Sequence, residues 1–270
     1  VQKDTHYYLT YALARTAGIE TPTALKIAWA NQFTDECTDA GRLGMQTQVR
    51  FGPFSNWSDV HVQNTVLVPF HFIPGRDSQQ ESQWQVTEAS DLADQLAKAA
   101  VRSKNPFRFG IALHTWQDTF SHAGFTGRRE KINNRFSWYN PTAAIMPDVG
   151  HADLGPRPDI IFDPNNQIDN RTGALRCAAT TLVWMNRFAG NGATVADSLA
   201  LESALERAFS YADYDERKKA IAAVGKSEMT GDSFRFGRVN KGVAAEWRGE
   251  FVSAARIHLG LVMAGLNDLL

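Results

Sequence analysis

The chain has 270 residues, 43% of them hydrophobic and 21% charged, which excludes a disordered or collagen-like polymer and leaves room for one large domain. Its 28 basic and 29 acidic side chains nearly cancel, so no global attraction to nucleic acid or anionic lipid follows and no stable nucleic-acid partner is expected. No apolar run reaches the ~18 residues of a membrane span.

In chain order, no basic and then apolar leader opens the sequence. The expected location is therefore the cytoplasm, or outside the cell if a signal was removed before Val1. Tyr7, Tyr8, Tyr11, Leu13 and Ala14 recur at helical spacing until Gly18. Thr21-Pro22 starts a second helix running to about Cys37. Cys37 and Cys177 are too few for a disulfide framework, and one bridge or two reduced core thiols would each suit them. Gly44 to Gly75 reads as a long irregular segment with a β-like stretch from Thr65 to Phe70. Further helices are predicted from Thr87 through Val101 and from Phe107 to about Phe125. A second long loop covers 128–170. Helices at 170–189, 194–209 and 213–224, a Gly-rich turn at 231–242 and a last helix at 243–269 complete the chain. The reading is all-α: one multi-helix bundle over 1–270 with two long irregular loops.

Chemistry concentrates in Gly110-Ile-Ala-Leu-His-Thr-Trp-Gln-Asp-Thr-Phe-Ser-His-Ala-Gly-Phe125. On a helix, His114, Asp118 and His122 stand at i, i+4 and i+8, drifting only ~40° per step, and so share one face. Two imidazoles and a carboxylate in register are half of a transition-metal site. The other ligands must come from elsewhere. His6 lies on the first helix, and His71 sits in a proline-braced Pro-Phe-His-Phe-Ile-Pro. His151 lies between Gly150 and Gly155, with Asp153 just beyond it. Asp35 and Asp39 end the second helix, where acidic charge opposes the helix dipole and invites a cation. His71 is expected to share an ion with His114, and His122 with His151. His61 and His258 read as structural or superficial. Trp116, Phe125, Phe136, Trp138 and Tyr139 could wall the site. Arg128, Arg129, Lys131 and Arg135 could hold an anionic group, or form a solvated loop.

The opening Gln2-Lys-Asp-Thr-His6-Tyr-Tyr, the Phe-His-Phe-Ile-Pro run and the Ala-Leu-His-Thr-Trp-Gln-Asp-Thr-Phe-Ser-His run resemble an uncharacterised group of bacterial and fungal proteins, DUF6765-like, over most of the chain. The ligand order His6, Asp35, His71, His114-x-x-x-Asp118, His122, His151 and a following acid, Asp153, is distantly similar to the zinc-dependent phospholipase C and P1-type nuclease superfamily. That likeness implies an all-helical fold and two or three zinc ions. It also implies cleavage of a phosphate ester in a small-molecule or lipid-like substrate by metal-activated water. Asp118 would bridge ions, and Asp35 would be ligand or general base. The chain departs from the pattern in the place of His6, in the four-residue step from Asp118 to His122, and in lacking a final His-x-x-x-Glu. Ligand type alone also suits non-haem iron, so an oxygenase using the same His/Asp cluster is the alternative, and a metal-stabilised binding protein is a third.

Overall fold

Asn105 and Pro106 start the helix around which the others assemble. The Asn105 Oδ1 accepts from the backbone N–H of Phe107 and of Arg108, and Pro106 fills the first position, where no N–H is needed. The computed structural model of the chain describes residues 2–38, 40–49, 56–75, 80–134, 148–191, 195–225, 236–243 and 245–267.

The helices in chain order are α1 (Asp4–Leu9, wound as a π-helix, continuing as Thr10–Thr16), α2 (Thr21–Glu36), α3 (Val60–Val62, Gln63–Leu67 and Val68–Phe70 in one run), α4 (Asp91–Ser103), α5 (Pro106–Ser121), α6 (Arg171–Ala189), α7 (Val195–Phe209), α8 (Tyr214–Val224), α9 (Phe236–Gly242) and α10 (Ala245–Asn267). A single turn, Ala40–Leu43, follows α2. Among the described residues, the only sheet is a pair of two-residue antiparallel strands, β1 (Phe162–Asp163) and β2 (Ile168–Asp169). The all-α class is thus observed. The β-like stretch from Thr65 to Phe70 is corrected to helix. Its Val and Phe side chains pack inward from one turn after another, and Pro69 falls where the last short helical turn starts. A short apolar run has no periodicity with which to tell the two states apart.

α5 is buried all round, with Phe107 and every residue from Phe109 to Thr119 hidden. A helix of that kind must be central. It packs against α2, α4, α6 and α10, and against the end of α3. It approaches α2 closely at Gly110, where an added Cβ would lie 2.5 Å from the Ile27 carbonyl oxygen and 2.7 Å from the Ala30 Cβ. This spacing brings His114 and Asp118, one and two turns further on, against the C-terminal half of α2. Gly110→Ala is expected to destabilise by ~1–3 kcal/mol through overpacking, although alanine favours helix. A denaturation midpoint equal to the parent's would contradict the close packing.

α5 ends at His122, which takes a non-helical φ of −99° and ψ of 9°. The chain then turns through Gly124, at a φ of 86°. Cys37 and Cys177 are both buried and form no disulfide, so of the two alternatives the reduced one holds.

Candidate metal centre

Five histidines from four separate parts of the chain meet here, each with one ring nitrogen tied to a carbonyl oxygen. His6 Nδ1 donates to Gln117 Oε1 at 2.9 Å, and His114 Nδ1 to the Asn31 carbonyl at 2.9 Å. His71 Nε2 donates to the Thr47 carbonyl at 2.8 Å, and His122 Nδ1 to the His71 carbonyl at 2.8 Å. His151 Nδ1 donates to the Gly155 carbonyl at 2.7 Å. A carbonyl can only accept, so each of these nitrogens carries the proton. In the neutral ring the other nitrogen is then a bare lone pair. This is the usual way a protein presents imidazole to a metal.

Those bare nitrogens face one another and face carboxylates. His114 Nε2 lies 3.1 Å from His71 Nδ1, and both approach Asp118 Oδ2, at 3.2 and 3.1 Å. Asp35 Oδ1 is 3.7 Å from each of these two ring nitrogens. His6 Nε2, fully buried and without a hydrogen-bond partner, lies 3.2 Å from Asp118 Oδ1 and 3.7 Å from Asp35 Oδ2. His122 Nε2 lies 3.2 Å from His151 Nε2 and 3.1 Å from Asp159 Oδ1, and His151 Nε2 is 3.5 Å from Asp159 Oδ2. Acceptors facing acceptors repel unless a cation sits among them. Ligand atoms ~2.0–2.1 Å from a tetrahedral ion stand about 3.3–3.4 Å apart, which is the spacing found here. Among the described residues, three groups can hold a metal ion: His6, His114 and Asp118; Asp35, His71 and His114; and His122, His151 and Asp159.

Local sequence explains the placement. The π-helical winding of Asp4–Leu9 widens the turn that carries His6. Thr10 Oγ1 accepts from both Asn31 Nδ2 and Gln117 Nε2, and Asn31 Nδ2 also donates to Gln117 Oε1. That buried network holds the Gln117 carbonyl toward His6. Phe72 stacks on the His122 ring with centroids 4.5 Å apart. Gly150, at a φ of 56°, lets the His151 loop lie on Phe72, where a Cβ would come within 2.5 Å of the ring. Asn170 Nδ2 donates to the carbonyls of Arg157 and Ile160, on either side of Asp159.

Burial pushes the imidazoles of His6 and His151 below the ordinary range, and those of His114 and His258 to about 4 each. His122 is the exception: burial opposes its charge, but the carboxylates of Asp118 and Asp159 outweigh burial and raise it. Asp159 and Asp118 are held well below the usual carboxylate range against burial, the neighbouring imidazoles contributing to both. The four lowered histidines stay neutral in the fold at pH values where an unfolded histidine, at 6.5, takes up a proton. Their contribution is whole above pH ~6.5 and is lost as pH falls toward ~4, with His122 acting in the opposite sense. The urea midpoint of metal-free protein is expected to fall across that window, and a flat profile would contradict the burial of neutral imidazoles.

Several expectations need correction. Asp159, and not Asp153, is the carboxylate that meets His122 and His151. Asp153, in the 3-10 turn at Ala152–Leu154, is buried but belongs to none of the three groups. His122 keeps its Nδ1 3.7 Å from Asp118 Oδ2. It caps α5 and turns its Nε2 to a second cluster. Trp116 lies outside the site, edge-on to Trp184 and donating to Thr180 Oγ1. Arg128 stacks over Trp84 at 3.6 Å and donates to Asn64, and Arg129 is exposed. Phe125 is buried beside His151, with ring centroids 5.9 Å apart. Asp39, Arg135, Phe136, Trp138 and Tyr139 lie outside the described residues. His258 is a packing residue, its Nε2 bonded to the Pro69 carbonyl and its ring stacked on Phe70, while His61 is exposed.

Residues 1–259 match the model of a family described as a family of unknown function, DUF6765. The chain belongs to the DUF6765 family. No curated protein and no solved structure matches it. The distant likeness to the zinc-dependent phospholipase C and P1-type nuclease superfamily is therefore corrected, in the fold as in the family. What holds, among the described residues, is an all-α multi-helix bundle with only one two-stranded sheet. Helical content and an order of His and Asp residues are common to unrelated metal-binding bundles and do not by themselves assign a superfamily.

Asp159→Ala is expected to remove the ion of the His122 cluster and spare the central one, whereas Asp153→Ala should spare both. Metal content per chain of the two purified variants checks this. Equal content would return the outer ligand to an open question.

Proposed function

We propose that this DUF6765 protein is a metal-dependent hydrolase that cleaves a phosphate ester, with two or three zinc ions held by the His/Asp clusters. The observation that supports this most is the placement of Asp118. Its Oδ1 faces His6 while its Oδ2 faces His71 and His114, so one carboxylate would be shared by neighbouring ions. Paired ions on a shared ligand suit the in-line displacement of a phosphate ester, because both the attacking and the leaving oxygen carry charge.

When bound, divalent ions lower the pKa of a coordinated water toward neutrality and draw off charge from the phosphoryl oxygens. His71, His114, Asp118 and Asp35 would hold the central ion, His6 with Asp118 its neighbour, and His122, His151 and Asp159 the outer one. Asp118 is buried, but Asp35 retains 22% side-chain exposure and accepts from Gln48 Nε2 at 3.2 Å. Asp35 would be the residue to take the proton of an attacking water, as ligand and base together. The clusters open into a cavity of about 440 Å³ whose apolar wall includes Val49, Trp57, Leu67 and Phe72. No lysine or arginine is among its described lining residues, so the phosphate charge would be met by the ions and the apolar wall would take an organic substituent.

The test is hydrolysis of bis-p-nitrophenyl phosphate by zinc-loaded and by chelator-stripped protein. Turnover that follows zinc supports the reading. No turnover by fully loaded protein, or purified protein carrying iron with a charge-transfer band, overturns it, and the second result favours the oxygenase instead.

A further inference from the structure

A buried ion pair lies apart from the imidazoles yet grips two of the segments that carry the site. Arg217 of α8 is 2% exposed and Asp4 of α1 is fully buried, and Arg217 Nε donates to Asp4 Oδ2 at 2.8 Å. Arg217 Nη1 donates to the Tyr211 carbonyl at 2.7 Å and reaches the Phe162 carbonyl at 3.3 Å. Asp4 precedes His6 by two residues on the same π-helical stretch. Phe162 follows Asp159 by three, beyond the buried Ile161. One guanidinium therefore holds the segment that brings His6 to the central cluster and the segment that brings Asp159 to the outer one. It also lines a cavity of about 600 Å³ that Asp35 borders.

A buried pair of this kind is a weak source of stability, because desolvation offsets much of the attraction, and apolar residues of similar volume often serve a fold as well. What such residues lack is direction. The planar fork of arginine fixes the angles of a carboxylate and of backbone carbonyls at the same time. We propose that Arg217 is a positioning residue: acting through Asp4 and the Phe162 carbonyl, it sets His6 and Asp159 at metal-binding distance. This rests on the metal-binding reading above.

The test compares full-length wild type, the double variant Asp4→Leu with Arg217→Met, and Arg217→Lys. The double variant removes both charges and so leaves neither ion buried alone. Arg217→Lys keeps the charge without the fork. Each protein is stripped, melted without metal, and titrated with Co²⁺ while the visible bands are followed. The double variant should melt at or above wild type when metal-free. It should bind Co²⁺ at the His6 and Asp159 positions about 10–100-fold more weakly, as loss of a supporting partner does, with the His71 and His114 position retained. Arg217→Lys should fall between the two. Wild-type Co²⁺ binding in the double variant overturns the proposal. So does a metal-free double variant that melts well below wild type, since the pair then serves the fold itself. Failure of the metal-binding reading is separately visible: a wild-type chain that takes up no Co²⁺ removes that reading, and this one with it.

Discussion

Replacing Asp118 with Asn is expected to abolish phosphodiester hydrolysis, by at least ~10³-fold, which exceeds the ~10–100-fold typical of an outer partner. The reason is geometric. Each Asp118 oxygen faces a different set of imidazoles, His6 on one side and His71 with His114 on the other. Asn keeps the volume but loses the negative charge and offers only one acceptor oxygen, so the two neighbouring ions proposed above would lose their common ligand together. The variant should still fold, because the five histidines keep the carbonyl anchors that orient them. Metal content per chain and turnover of the purified variant are the measurements. Retained turnover with full metal content would remove Asp118 from the centre of the account.

Chelation is the second large effect. Without cations, the bare nitrogens of His71 and His114 face each other at 3.1 Å beside a buried carboxylate, and those of His122 and His151 at 3.2 Å. Ions bound only by the folded chain stabilise it by about 4 kcal/mol at a free concentration 1,000 times Kd. The melting temperature is expected to fall by several degrees on stripping and to return on adding Zn²⁺, a chain of this size shifting by roughly 2–4 °C per kcal/mol. Identical melts of stripped and reloaded protein would contradict coupling between the clusters and the fold.

Much of this centre could be read from residue order, and the unread parts share a cause. His114 and Asp118 announce themselves because helical periodicity is local, and α5 is helical through both. His71 was marked by its flanking prolines and His151 by its glycines, which are also local signals. Asp159 carried no such mark. It lies in a Pro-rich run whose course is set by distant contacts, above all the Asn170 side chain that holds the carbonyls on either side of it. Asp153 is nearer in sequence to His151 but joins none of the three groups, because sequence distance does not decide which carboxylate the fold brings to a ring. Asn31, Gln117 and Thr10 carry no local mark for a related reason: their buried polar network exists only once α1, α2 and α5 are packed together. Trp116 stands two residues from both His114 and Asp118, which on a helix points it about 160° away from them, here into the core against Trp184. The helices were legible where a proline start and periodicity agreed, as in the helix beginning at Thr21-Pro22. The short apolar run in α3 was not, having no such periodicity.

The central claim is that the facing imidazoles and carboxylates hold a cluster of divalent ions. The most direct test is the metal content of full-length protein under native conditions, by mass spectrometry of the intact chain and elemental analysis of the same sample, after incubation with Zn²⁺ and extensive dialysis. The account predicts two or three ions per chain, falling in the Asp159→Ala variant and falling further in Asp118→Asn. A folded wild-type chain that retains no ion would contradict it.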